Sequence, residues 1–380
     1  MFTEKFLSDL NELVSIDCGS DNKEGVEQVA DVITRHFKQM EMEGKTWFAD
    51  RKSIHHECGP FLIFSNRKQA ETYDVTLLCH MDTVYKPGIC DQYPAYTDGD
   101  KYRGPGVSDM KSGCLAVIYA LKLMAKEVFD SLSVCVCFTP DEEIGAPYSH
   151  SYIEEVAKRS KRVLVGEAAR PDGSLLKARK GNGKIQVEFF GKAAHAGSAL
   201  TEGVSAVTEL AHWVHAINDL VDLKKGTTAS VGIVEGGTGI NVVPDYAKAM
   251  VDLRFLENSE GDRVLDYLHT LSEKPFLQGM KVKVQRLAGR PAFQVVDGAP
   301  ELIELVKNSA QKLDIDINFI TGGGASDGNI AAALGVPTID GFGPCGGGFH
   351  NVKEEFVLIS TIEPRVKLLT KVLEELGSDR

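Results

Sequence analysis

Three short runs without a charged side chain, Val75 to Cys79, Leu132 to Phe138 and Val163 to Val165, each lead within a few residues into groups that bind cations: His80, the triplet Asp141-Glu142-Glu143, and Glu167. A run that is apolar throughout, rather than at alternate positions, fits a strand buried on both faces, as in a parallel sheet covered by helices. In such sheets ligands gather just beyond the carboxyl ends of the strands. The chain is therefore expected to fold as an α/β protein and to bring these residues together.

The rest of the first half fits the same architecture. Phe61 to Phe64 is a further apolar run, and a helix is expected from near Ser112, with Leu115, Ile118, Tyr119 and Leu123 on its inner face. Phe6, Leu10, Leu13 and Val14 recur at helical spacing near the start, so that segment is read as a core-packing helix rather than a removable leader. After about Arg179 the pattern changes to strand (Ile185 to Phe190), helix (Val204 to Leu220), strand (Thr228 to Val234), strand (Ala247 to Phe255), helix (Gly261 to Leu271) and strand (Lys281 to Val284). That is the βαββαβ order of a ferredoxin-like α+β unit. A helix from Leu302 to Leu313, a strand from Pro337 to Ile339 and a closing helix from Thr361 then restore the first pattern. The expected organisation is a catalytic domain in two parts, 1–179 and 291–380, interrupted by an inserted domain at 180–290. The length of 380 residues, more than one core usually serves, agrees with it.

Bulk properties exclude some partners. A net charge of -12 argues against nucleic acid, whose phosphates are held by clustered Lys and Arg. No stretch approaches the roughly 20 apolar residues of a membrane span. The eight cysteines include no CxxC pair, and Cys135 and Cys137 sit two apart in one strand, so reduced thiols and a cytoplasmic location are expected.

Single motifs each carry a plain reading beside the chemical one. In His80-Met81-Asp82 the residues two apart on an extended chain share a side, so Asp82 can hydrogen-bond one imidazole nitrogen while the other takes a metal. A structural histidine at a strand end would look the same. Asp109, after Gly104-Pro105-Gly106-Val107-Ser108, could cap a helix. Acidic triplets are commonly solvated loops, but Asp141-Glu142-Glu143 lies between an apolar strand and the Ile144-Gly145 turn, where one glutamate could bind metal and its neighbour serve as a base. The glycines near Asp109 do not fit GxGxxG, which disfavours a nicotinamide cofactor.

Taken together, His80-Met81-Asp82, Gly106-Val107-Ser108-Asp109, Asp141-Glu142-Glu143-Ile144-Gly145, Gly166-Glu167-Ala168 and His350 resemble, in order and spacing, the two-zinc peptidase superfamily of aminoacylase, glutamate carboxypeptidase and succinyl-diaminopimelate desuccinylase. The likeness runs from about Asn11 to Leu376. It is closest to glutamate carboxypeptidase, in Gly191-Lys192-Ala193-Ala194-His195-Ala196-Gly197, Arg290-Pro291-Ala292-Phe293 and Thr321-Gly322-Gly323-Gly324. The resemblance implies that the inserted unit is a dimerisation (lid) domain of a homodimer. Two Zn2+ ions, with Co2+ or Mn2+ as possible substitutes, would be bridged by Asp109, one completed by His80 and Glu167 and the other by Glu143 and His350. Asp82 would support His80, and Glu142 would be the general base toward water activated between the metals. His195, from the partner subunit, would stabilise the oxyanion. Arg254 would hold the substrate carboxylate, with Arg179, Asn241 and Gly324 as further substrate contacts and Arg290 as another candidate arginine. The implied activity is hydrolysis of an amide or peptide bond beside a free carboxylate, in a small peptide or an N-acyl amino acid. An aminoacylase or dipeptidase, or a non-catalytic metal-containing peptide-binding protein, are the alternatives. Three local features stand apart: Met110-Lys111-Ser112-Gly113 is expected to shape the pocket rim, the glycine-rich run before His350 to be a mobile loop, and Cys345, near the metal centre, to make the enzyme oxidant-sensitive.

Overall fold

In the computed structural model, which describes residues 2–378, eight strands form one sheet in the order Phe48–Lys52, Phe61–Ser65, Val134–Thr139, Val75–His80, Val163–Val165, Thr338–Asp340, Leu175–Arg179 and Phe319–Gly322. Its centre is parallel: Val134–Thr139, Val75–His80, Val163–Val165 and Thr338–Asp340 run side by side, with Phe61–Ser65 and Leu175–Arg179 antiparallel on either flank. Every residue of those four central strands is buried, which is why they are mostly apolar and carry a histidine or a carboxylate only at their carboxyl ends, His80 and Asp340. Helices Phe2–Val14, Lys23–Met42, Ser112–Leu123 and Ile359–Ser378 contribute to one large core, and His150–Lys158 and Gly328–Ala333 to another. Phe6, Leu10, Leu13 and Val14 are all buried. Leu123, expected on the inner face of its helix, is instead 47% exposed, because it is the last helical residue before the chain turns at Met124.

The chain divides into two compact units. The first comprises the described residues through Ala178, Val295–Thr321 and the described residues from Ser326 onward; the second is Arg179–Gln294 with the short turn Gly322–Ala325. In the second unit the four strands take the order Thr228–Gly236, Tyr246–Phe255, Gly181–Phe190, Lys281–Ala288, all antiparallel, with helices Ala206–Asn218 and Asn258–Glu273 packed on them. That is a ferredoxin-like sheet. Gly181–Phe190 alternates strictly between core and outer face, and Ile185, Val187 and Phe189 join Trp213, Val251, Leu253 and Val264 in a core of its own.

A second sheet in the first unit, ordered Tyr96–Asp98, Lys101–Arg103, Phe356–Leu358, Gly343–Gly347, Ala168–Ala169, corrects the expectation of a mobile loop before His350. Gly343–Gly347 is a fully buried strand. Its glycines answer to close approach: a Cβ on Gly346 would lie 2.1 Å from Ser108 Oγ, and Gly348, at φ 72°, would press one against the Glu354 carbonyl.

Candidate metal centre

The parallel register aligns the strand ends. His80 pairs with Thr139, and Leu78 with Val165, so the segments that follow, Met81-Asp82, Asp141 to Glu143 and Gly166-Glu167, leave the sheet together. Asp109 comes from the irregular turn Val107–Lys111 that precedes the Ser112–Leu123 helix, and its peptide bond to Met110 is cis.

Asp109 occupies the middle of the cluster. Its Oδ1 lies 3.1 Å from His80 Nε2 and its Oδ2 lies 3.2 Å from His350 Nε2. Each imidazole also faces a second carboxylate: Glu167 Oε1 is 3.5 Å from His80 Nε2, and Glu143 Oε2 is 3.2 Å from His350 Nε2. Ligand atoms of His80, Asp109 and Glu143 all fall within 4.8 Å of one another. The result is two nitrogen-and-oxygen pockets sharing one carboxylate. His350 has a left-handed backbone, φ 61°, rare for a residue other than glycine, and its side chain is 56% exposed. His80 is enclosed, its main chain fixed by an N–H to Met110 Sδ (3.2 Å) and a carbonyl that accepts from Cys114 Sγ (3.1 Å).

Three carboxylates against two imidazoles is an arrangement that wants a cation. Burial pushes the Glu143 carboxyl up to about 7, with the His350 hydrogen bond opposing and Asp109 repulsion assisting. Burial, then repulsion from Asp109 and more weakly Glu142, drives Glu167 well above the usual range. Burial opposes charge on Asp109 as well, yet hydrogen bonds from His350 and His80 hold it well below an ordinary aspartate. The same bonds, to Asp109 and then Glu143, hold His350 up at about 10. A divalent cation would relieve the crowding and invert this order of affinities for protons. The residues fit such an ion: Glu143 Oε1 is a buried oxygen without a hydrogen-bond partner, and the donors are all imidazole nitrogens and carboxylate oxygens, which suit zinc, cobalt or manganese.

Asp82 does more than support His80. His80 Nδ1 is 2.9 Å from the Asp82 backbone carbonyl and 3.4 Å from its Oδ1, and the carboxylate has further partners. It accepts from the backbone N–H of Glu142 and of Glu143, each at 3.1 Å, and from Ser20 Oγ at 2.6 Å. Asp82 thus fixes the turn that carries both glutamates. Glu142 is 7% exposed and lies near enough to Glu167 to repel it. Neither Ser20 nor Glu355, whose carboxylate grips the Gly106–Asp109 turn, stands out in sequence; Glu355 looks like the second half of an ordinary Glu-Glu pair. Met110, Lys111 and Ser112 are buried, so they form no pocket rim, and Cys345 is 3% exposed, which removes the basis for oxidant sensitivity.

The remaining candidates belong to the second unit and are described within it. Arg254 and Arg290 flank Asn182: Arg254 pairs with it across the sheet, and Asn182 Oδ1 accepts from the Arg290 N–H at 2.7 Å. Arg254 Nε reaches Asp252 at 2.9 Å, and Arg179 reaches the Gly324 carbonyl at 3.3 Å. His195 lies instead on a two-residue ladder, paired with Val242, and Asn241 just beyond it, its carbonyl accepting from the Ala196 N–H; both are exposed. That ladder continues from the Phe190 end of the central strand, whereas Arg254 and Asn182 sit at the Gly181 end. Ten strand residues separate the two groups by roughly 30 Å.

An α/β sheet that gathers histidines and carboxylates at its strand ends has the make-up of a metal-dependent enzyme. The profile described as "Peptidase family M20/M25/M40" matches residues 76–375, and the chain belongs to that family. It is 31% identical over 378 residues to carboxypeptidase G2 of Pseudomonas sp. (strain RS-16), covering 98% of this chain and 89% of that one. Among solved structures, aminopeptidase PepT from Bacillus cereus ATCC 10987 superposes with a TM-score of 0.78 at 23% identity, covering 98% of each chain. The Bacillus subtilis YXEP protein, described as a dinuclear metal binding peptidase from the M20 family, gives 0.72 at 13% identity over 99% of each. The protein is a metallopeptidase of this family. Among the described residues no helix is long and apolar enough to cross a membrane.

Proposed function

We propose that the protein is a glutamate-carboxypeptidase-like enzyme that hydrolyses an amide or peptide bond adjacent to a free carboxylate, with two zinc ions bridged by Asp109. One observation carries the reading: the two oxygens of Asp109 face two different histidines, 3.1 and 3.2 Å away, each backed by its own glutamate. His80 and Glu167 would complete one site, and Glu143 and His350 the other. When bound, such a metal pair lowers the pKa of water to roughly 7 and polarises the substrate carbonyl.

The chain's own groups do the rest. Glu142, held by Asp82 through its backbone N–H, accepts the proton of the attacking water and returns it to the leaving nitrogen. His195 Nδ1 accepts from the Gly197 and Ser198 N–H groups at 3.1 and 3.2 Å, so the neutral ring carries its proton on Nε2. That N–H is available, on an exposed residue, to donate to a developing oxyanion. Arg254 and Arg179 supply planar donors matched to a carboxylate. Because His195 and Asn241 lie at the opposite end of their unit from Arg254, the two groups cannot both meet one scissile bond within a single copy of that unit. This supports a homodimer in which His195 is supplied by the partner. The exposed edge strand Thr228–Gly236, bearing Ile233 and Val234, is a surface on which a second copy could pair. Eight unpaired cysteines support a reducing, cytoplasmic setting.

The similarity to carboxypeptidase G2 supports removal of a carboxyl-terminal residue. A panel of dipeptides and N-acyl amino acids, offered to the zinc-reconstituted protein, tests this. Cleavage confined to substrates with a free carboxylate beside the bond is expected. Equal cleavage of the corresponding carboxamides would refute it.

A further inference from the structure

Glu355 is fully buried and forms no ion pair with a cationic side chain among the described residues, an expensive way to keep a carboxylate. Four donors surround it. Oε1 accepts from the Ser108 and Asp109 N–H groups at 2.9 and 3.1 Å, and Oε2 from the Gly106 N–H at 3.0 Å and the Tyr85 hydroxyl at 2.6 Å. Both oxygens are thus used twice. A glutamine would turn an NH2 group toward donors, so the cage demands a carboxylate.

The turn it grips is held only in part by its own backbone. Val107 donates to the Gly104 carbonyl, Lys111 to that of Gly106 and Ser112 to that of Val107, but the Gly106, Ser108 and Asp109 amides converge on Glu355. Asp109 and Met110 depart from helical backbone, at φ -119°, ψ 91° and φ -126°, ψ 41°, so the bonds that close the turn at its ends do not by themselves fix the direction in which the Asp109 side chain leaves. That direction matters, because its two oxygens must reach two different imidazoles at once.

We propose that Glu355, with Tyr85 as its orienting partner, is the positioning residue of the bridging carboxylate: it sets the backbone from which Asp109 spans the two metal sites, and so sets metal affinity. The inference rests on the dinuclear reading above. Outer groups that orient ligands typically alter metal affinity by roughly ten- to a hundredfold. Because Glu355 is bonded to the Asp109 main chain rather than to its carboxylate, its loss should misdirect the bridge without removing a ligand.

The test titrates metal-free protein with Zn2+ in competition with a chelator, records the visible spectrum of the Co2+-substituted form, and follows hydrogen exchange of the metal-free backbone. In Glu355→Gln the weaker of two Zn2+ equivalents should bind about ten- to a hundredfold less tightly. The Co2+ bands should shift, and the Gly106 amide should lose protection while the central strands keep theirs. Parental affinity and an unchanged Co2+ spectrum in a folded Glu355→Gln protein would overturn the proposal. Should that variant not fold, Tyr85→Phe decides: a shifted Co2+ spectrum with weaker second-site binding supports the proposal, and parental values for both overturn it. Asp109→Asn separates the two readings. If the parent binds two ions and Asp109→Asn does not, the dinuclear reading stands whatever Glu355 does; if the parent binds fewer than two, that reading fails first.

Discussion

The two units hold their candidate residues in opposite ways. In the first, His80, Asp109, Glu143 and Glu167 descend from buried strand ends and a braced turn, within hydrogen-bonding reach of one another or of a shared imidazole. In the second, His195 and Asn241 are exposed at one end and Arg254 and Arg290 lie at the other. A buried sheet can preorganise a metal centre within one chain. Surface residues far apart on one unit would become a site only when another molecule joins them, so on the proposed reading the second set depends on assembly and the first on folding.

The largest effect should come from within the first set. Glu142→Gln should lower kcat roughly a hundred- to ten-thousandfold while two metals stay bound by elemental analysis. Near-parental turnover with full metal would remove Glu142 from the mechanism. Next, His195→Ala should lower kcat by about a hundred- to a thousandfold, the usual loss for an oxyanion donor. Mixing it with Glu142→Gln under conditions that exchange subunits should regain activity, because one site of each mixed dimer is then intact. No recovery, with exchange shown by mass spectrometry, would place both residues in the same chain's site and erase the contrast drawn above.

Arg254→Ala should act on binding, raising KM roughly ten- to a hundredfold with a smaller change in kcat. An effect on kcat alone would move it from substrate binding to chemistry. A buried histidine away from the cluster should leave turnover untouched and alter only stability. His36 is pushed down to about 4 by burial and then by Lys122, whose ammonium donates to Nδ1 at 2.9 Å. Its folded pKa lies below the unfolded value, so its contribution is complete above about pH 6.5 and is lost as pH falls toward 4, about 3 kcal/mol in all. Metal-free His36→Leu, compared with the metal-free parent by urea unfolding, should show a correspondingly shallower acid loss across that window. Parallel curves would show that His36 is not held neutral by the fold.

Legibility in sequence followed burial. Strands enclosed on both faces, such as Val75–His80 up to its terminal histidine and Val163–Val165, declare themselves by lacking charged residues, and Gly181–Phe190 by its alternation. Phe48–Lys52 has no such signal, because an exposed edge strand is free to be polar. Gly343–Gly347 reads as a loop because its glycines answer to close approach by the Ser108 side chain and the Phe356 carbonyl, partners more than two hundred or about ten residues away in the chain. The same limit governs the centre. Asp109, His80, Glu143, Glu167 and His350 were legible as a candidate set through the family resemblance, since ligand chemistry restricts residue type in the motifs that carry it. The bond from Asp82 to the Glu142 and Glu143 amides, and the Glu355 cage, were not, since a carboxylate accepting from backbone N–H leaves no mark on the residue it serves.

The most direct test of the account is anomalous diffraction from crystals of the zinc-reconstituted protein. Two zinc peaks should appear roughly 3.5–4 Å apart on either side of Asp109, one beside His80 and Glu167 and the other beside Glu143 and His350. A single peak, or a second one seated elsewhere, such as at the surface trio His55, His56 and Glu57, would contradict it.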